Sequence, residues 1–179
     1  MEELLAKALP PEPAPVLCLA RNVTDLARKV LPLVRGEEDI VQVELDGPAP
    51  LDGFENDSMG AIVIGDALRL LDEPELLALI RRSYDLLRDG GRLALVDQLM
   101  PYDRMAPLTG RTFLRWIGVR YTSDEVFSLL ERSGYWDSLV LRRGHFTPDV
   151  VVRGEKVVQH ARLDRSPTLS TNPSFRLIK

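Results

Sequence analysis

Short unbroken apolar runs alternate along this chain with segments whose apolar residues recur every three or four positions. VLCLA (Val16–Ala20) has strand length, and Asn22 followed three residues on by Asp25 predicts a capped helix carrying Leu26, Ala27, Val30 and Leu31 on one face. Pro32 predicts where that helix stops. In DIVQVEL, Ile40, Val41, Val43 and Leu45 alternate with polar residues, so a second strand is expected before the Gly/Pro-rich loop DGPAPLDG. AIVIG, residues 61–65, contains no polar side chain, the pattern of a central parallel strand covered on both faces.

Asp72 with Glu75 predicts a cap, Pro74 is tolerated in a first turn, and Leu76, Leu79, Ile80, Tyr84 and Leu87 keep helical spacing. Asp89-Gly90-Gly91 is expected to end this helix, with RLALVDQL following as a strand. Strand and helix in alternation argue for βαβ units and a parallel sheet. MPYDRMAPLTGRTFLRWIGVRY has no clean period. Thr122 with Glu125 is a second capping box, ahead of a helix with Val126, Leu129, Leu130 and Ser133 on one face, which Gly134 terminates. SLVLRR, GHFTP and DVVVRG read as a final hairpin. Residues 2–9 predict one or two helical turns before the stiff spacer PPEPAP, and residues 159–179 read as a polar extended arm. The expected division is an N-terminal arm over 1–15, a single domain over 16–158 and a C-terminal arm over 159–179.

Length and composition narrow the class. A chain of 179 residues holds one domain with a real core. A net charge of -4 supplies no global basic field, which makes nucleic acid an unlikely partner. Cys18, the single cysteine, cannot close an intramolecular disulfide, which fits a reducing cytoplasm. No apolar run approaches a membrane span, and MEELLAKAL carries acids where a signal peptide carries bases, so a cytoplasmic protein without a membrane partner is expected. No metal site is expected.

Three stretches carry a resemblance. ALRLLDEPELLALIRRSYDLLRDGGRLALVD is similar to the fourth helix, turn and fifth strand of class I S-adenosylmethionine-dependent methyltransferases, with Asp89 where a proline usually precedes the two glycines. YTSDEVFSLLERSGYWDSLVLRR resembles the fifth helix and sixth strand, with Ser133-Gly134-Tyr135 where Ala-Gly-Phe is common, and DVVVRGEK resembles the last, antiparallel strand. The resemblance covers residues 16–156 and is firm from Ala61 onward. It implies an α/β, Rossmann-like methyltransferase fold: a mostly parallel sheet with a C-terminal antiparallel hairpin. It also implies S-adenosylmethionine as cofactor.

Upstream the resemblance breaks. The family's first strand runs into a Gly-x-Gly-x-Gly loop whose bare backbone admits the cofactor, whereas VLCLA runs into Arg21-Asn22-Val23 and no glycine precedes Gly36. Either VLCLA is the family's first strand with its glycines lost, or it is the second and the first unit is deleted. Only one further strand fits before residues 61–65, so the fold is reduced by one βα unit in both cases. Removing a central strand would leave unpaired backbone in mid-sheet, which favours a trimmed edge with VLCLA in the centre.

Ligands of open parallel sheets sit beyond the carboxyl ends of the strands. The resemblance therefore points to Ala20 and Asn22, to Glu44 and Asp46 as partners for ribose hydroxyls or the adenine amine, and to Gly65 and Asp66. Arg21 obstructs the usual mode. Each of these also has a bland reading as a loop end, a helix cap or a solvated charge. His145, Tyr121 and Asp97 are the candidate proton handlers. Tyr102, Phe113 and Trp116 with Arg111, Arg115 and Arg120 stand where the family places part of its substrate lid, and core packing with solvated arginines is the competing account. The reading favoured is a methyltransferase-like protein with degenerate or lost cofactor binding, acting as a binding or assembly module. The alternative is an active methyltransferase with an atypical pocket. The C-terminal arm is expected to dock on its own domain or on a second copy across the trimmed edge, favouring a homodimer.

Overall fold

The computed structural model describes residues 1–11, 15–46, 51–100, 118–142 and 149–157. His145, the aromatic and basic residues between 101 and 117, and the arm over 159–179 lie outside the described residues.

Six strands form one sheet: β1 (Val16–Ala20), β2 (Ile40–Glu44), β3 (Met59–Gly65), β4 (Leu87–Gln98), β5 (Leu139–Arg142) and β6 (Asp149–Glu155), in the order β2-β1-β3-β4-β6-β5. β1 is parallel to β2 and to β3, and β3 to β4, while β6 runs antiparallel to both β4 and β5. The expected pairing of residues 93–97 with 61–65 is present, and β6 lies beyond them. β1 sits inside the sheet with β2 at the edge, so the reduction is a trimmed edge.

The strands are apolar because both faces are covered. Leu17 and Leu19 of β1, Ile62 and Ile64 of β3, and Leu93 and Leu95 of β4 point to one face. There they meet Leu76, Leu79 and Ile80 of α4 (Glu73–Leu86) and Val126, Leu129 and Leu130 of α5 (Ser123–Arg132). The alternate residues Val16, Cys18, Ala20, Ala61, Val63 and Ala94 face α1 (Glu2–Ala8) and α2 (Val23–Val30). Leu4, Leu5 and Ala8 bury α1 against this second face, so the N-terminal segment is packed on the sheet. Burial pushes the Cys18 thiol up to about 12, which makes it an inert core residue at neutral pH.

Both predicted capping boxes form, Asp72 with Glu75 and Thr122 with Glu125. One expectation fails. Asp89-Gly90-Gly91 does not end α4, which stops at Leu86 with Leu87 already extended. The three residues instead kink β4, whose register against β3 shifts between Met59 and Ala61. Of the two glycines, Gly91 allows close approach, while Gly90 supplies a left-handed backbone in open space. Gly90 has φ +74°, and a Cβ on Gly91 would stand 2.8 Å from the Arg88 carbonyl oxygen. The kink is tied to the end of β6, where Gly90 N–H donates to the Lys156 carbonyl and Lys156 N–H to that of Gly91. The buried Lys156 ammonium donates to Asp57 Oδ1 at 2.7 Å and to the Leu87 carbonyl, and lies 5.0 Å from the Tyr84 ring centre.

Candidate functional site

The carboxyl ends of β1, β2, β3 and β4 lie at one end of the sheet, and the turns that follow them hold most of the predicted site residues. Between β1 and α2 there are only Arg21 and Asn22. Asn22 caps α2: its Oδ1 accepts from the Asp25 amide at 3.4 Å, and its Nδ2 donates to Asp25 Oδ2 at 2.7 Å. Arg28 approaches the same carboxylate at 3.5 Å. The first turn of α2 therefore carries its own acceptor and its own negative charge, both of which offset the exposed N–H groups of a helix start. Arg21 is exposed.

Gly65 follows a different course from the one its sequence position suggests. A Cβ built on it would meet Ala20 Cβ at 3.2 Å and Leu26 Cδ2 at 3.5 Å. The space beside its bare backbone is filled by β1 and α2, so this glycine serves the packing of the chain on itself. Glu44 and Asp46 are exposed; Leu45 N–H donates to the Ala20 carbonyl and Asp46 N–H to that of Glu44.

Beyond β3 and β4 the residues converge. Asp66 is left-handed, with φ 63°, and precedes the short helix α3 (Ala67–Leu70). Its carboxylate accepts from Arg69 Nη2 at 2.8 Å. Asp97, half-buried near the end of β4, accepts from the Leu68 amide at 2.8 Å through Oδ2 and from the Gln98 amide at 2.7 Å through Oδ1. Burial pushes the Asp97 carboxyl up to about 6, outweighing the two amides, with Asp66 adding repulsion and Arg69 opposing it. Gly118, at φ +91°, packs on Arg69, whose Cγ would stand 3.2 Å from an added Cβ. Asp66, Arg69 and Asp97 thus form one group around α3. Arg69 was not singled out from the sequence: a four-residue helix shows no period, and its arginine looks like any surface charge.

Tyr121 stands apart from this group. It is half-buried, its carbonyl accepts from the Met100 amide at 2.9 Å, and its phenol is held above the usual range by burial and then by Glu73. Its other charged neighbours are Arg120, Asp72 and Glu125, at the starts of α4 and α5. Among the described residues no cluster of three or more His, Cys, Asp or Glu is arranged for a metal ion, and no helix is long and apolar enough to cross a membrane.

Chemically, Asp97 is a carboxyl whose pKa burial pushes up to about 6 and which keeps spare lone pairs on both oxygens. The turn after β1 is less accommodating. The methyltransferase mode of holding S-adenosylmethionine needs bare backbone there, and the residues present supply side chains and a closed cap. They do not fit that mode.

Strand order, the antiparallel β6 and helices on both faces define the fold of the S-adenosylmethionine-dependent methyltransferases. Solved structures show the same likeness. The chain is similar to human N-acetylserotonin methyltransferase in complex with SAM, at 17% identity and TM-score 0.64, over 88% of this chain and 52% of that one. It is similar to the S-adenosylmethionine-dependent methyltransferase SibL in its apo form, at 20% identity and TM-score 0.57, over 79% of this chain and 43% of that one. A putative methyltransferase from Bacillus halodurans C-125 matches at 14% identity and TM-score 0.63, over 87% of this chain and 98% of that one. The chain thus spans about half the length of the first two and nearly all of the third. No family model matches the sequence, and no curated protein does.

Proposed function

We propose that this chain is a methyltransferase-like binding or assembly module whose hold on S-adenosylmethionine is degenerate or lost. The observation that carries the reading is the turn after β1. Asn22 and Asp25 close the start of α2 on each other, and Ala20 and Leu26 occupy the space beside Gly65. A cofactor approaching in the family's manner meets side chains at each point where it would need backbone. Every ~1.4 kcal/mol lost weakens binding tenfold, so losing two or three such contacts takes a micromolar site to about millimolar.

Calorimetric titration with S-adenosylmethionine and S-adenosylhomocysteine, backed by thermal shift at high ligand concentration, tests this. The expected outcome is a dissociation constant near millimolar or no measurable heat. A value of about ten micromolar or tighter overturns the reading and makes the chain an active methyltransferase with an atypical pocket. One observation supports that second reading: Asp97, pushed up to about 6 beside the strand ends, is poised to take a proton from an acceptor as it is methylated. A methyl-transfer assay on the Asp97→Asn variant then separates that role from the capping of α3, since transfer falls while folding persists.

A further inference from the structure

β2 lies at the end of the sheet, and among the described residues it pairs only with β1. Its free side presents backbone N–H and C=O groups of the kind that proteins cover or blunt. The two faces of β2 differ. Val41 and Val43 are half-buried against the larger core, while Gln42 and Glu44 are exposed on the opposite face. Every ionisable residue from 37 to 46 is acidic: Glu37, Glu38, Asp39, Glu44 and Asp46.

The chain beyond β6 has the complementary character. Residues 158–179 carry Arg162, Arg165, Arg176 and Lys179 against the single acid Asp164. Within them, Phe175-Arg176-Leu177 repeats the apolar, polar, apolar alternation of Val41-Gln42-Val43. The geometry permits the connection. β6 finishes with Glu155 opposite Arg92, at the end of the sheet where Val16, Ile40 and Ala61 lie in register. Five spacings of about 4.8 Å, roughly 24 Å, separate β6 from the position beyond β2. At about 3.4 Å per extended residue, the stretch from 158 to 173 reaches about twice that far, enough to pass around the intervening turns.

We propose that residues 174–178 of the same chain add to the free side of β2 as a further strand, parallel to it. Parallel direction follows from arrival at the end where β2 begins. Phe175 and Leu177 then extend the apolar face of Val41 and Val43, and Arg176 lies on the face of Gln42 and Glu44, where opposite charge favours the pair. The acidic flank of β2 draws the basic segment, and attachment to the same chain supplies a high effective concentration. The added strand covers the edge that the trimmed βα unit leaves open.

Hydrogen exchange on the full chain, with cysteine cross-linking, tests the proposal. Residues 174–178 are expected to exchange at least about tenfold more slowly than an unstructured chain, and Phe175→Asp with Leu177→Asp removes that protection together with part of that in β2, leaving β4 unchanged. Arg176→Glu weakens protection, and adding Glu44→Arg restores it. Val43→Cys with Leu177→Cys is expected to cross-link within one chain. Unprotected amides at 174–178 in the unaltered chain overturn the proposal. So does a charge swap without rescue. A cross-link that joins two chains assigns the strand to a second copy and overturns the own-chain docking.

Discussion

β1 and β4 flank β3 on either side and run parallel to it, but the chain leaves them in opposite ways. After β4, the Asp97 carboxylate stays half-buried, receives amides from Leu68 and Gln98, and faces Asp66 and Arg69 across α3. After β1, Asn22 and Asp25 satisfy each other within one turn, and Leu26 packs beside Gly65. One exit keeps a titratable group in tension with its surroundings. The other is spent on starting a helix. Perturbed ionisation gathers at working sites more often than in purely structural turns, so the contrast makes the β3–β4 side the candidate site, while under the reading proposed above the β1 side serves as scaffold.

The comparison breaks most visibly through the buried framework behind β4. Tyr135 is fully buried, meets Tyr84 edge-on at 5.2 Å, and lies under Gly154, where an added Cβ would stand 2.9 Å from its ring. Tyr135→Ala is expected to cost about 3–5 kcal/mol in urea denaturation. Tyr135→Phe costs far less, because the hydroxyl reaches the Ile80 carbonyl only at 3.5 Å. An alanine variant as stable as the phenylalanine one would remove the framework from the account.

The next effect is a pH dependence. Asp97 has its folded pKa raised to about 6, above the value near 4 of an unfolded chain, so the native state holds a proton that the unfolded state has released. Its contribution to stability therefore falls as pH rises from about 4 to 6 and stays level above that, by at most about 3 kcal/mol before solvent screening is allowed for. Carbon-detected titration of the Asp97 carboxyl is expected to show a midpoint near 6. A midpoint near 4 would leave the exits after β1 and β4 equivalent.

Gly65→Val sharpens the boundary between the two sides. If the space is packing, as the 3.2 Å approach to Ala20 implies, the variant loses about 1–3 kcal/mol in thermal or chemical denaturation. Unchanged stability with altered ligand binding would return Gly65 to a cofactor role. The smallest expected change is at the cap. Asn22→Ala costs about 1 kcal/mol and Asn22→Gly only a few tenths, measured the same way.

Legibility in the sequence followed the range of the physics. Capping boxes such as Asp72 with Glu75 involve residues three apart and are written locally, and the unbroken run ending at Gly65 announces burial on both faces. The position of β1 inside the sheet followed from the cost of unpaired backbone, a general constraint rather than a local signal. Asp89-Gly90-Gly91 misled because a left-handed glycine looks the same after a helix or within a kinked strand. Lys156, remote in sequence but hydrogen-bonded to both glycines from the end of β6, decides between them. The group around Asp97 was only partly visible. Asp97 stood out as an acid at a strand end, but its partners Leu68 and Arg69 come from elsewhere in the chain, and the Leu68 contribution is an amide that no sequence pattern marks.

The place of β6 bears on how the molecule is made. It lies between β4 and β5, both of which leave the ribosome before it. While residues 149–155 are still unsynthesised, β4 has an unpaired edge carrying Leu93 and Leu95, and β5 lacks the only strand it joins among the described residues. A nascent chain halted before Asp149 is therefore an open sheet, the kind of intermediate that chaperones hold and that aggregates when they do not. Among the described residues β6 is the last strand to emerge and the one that joins β5 to the rest, so the time of its emergence sets the earliest moment at which this six-stranded arrangement can be complete.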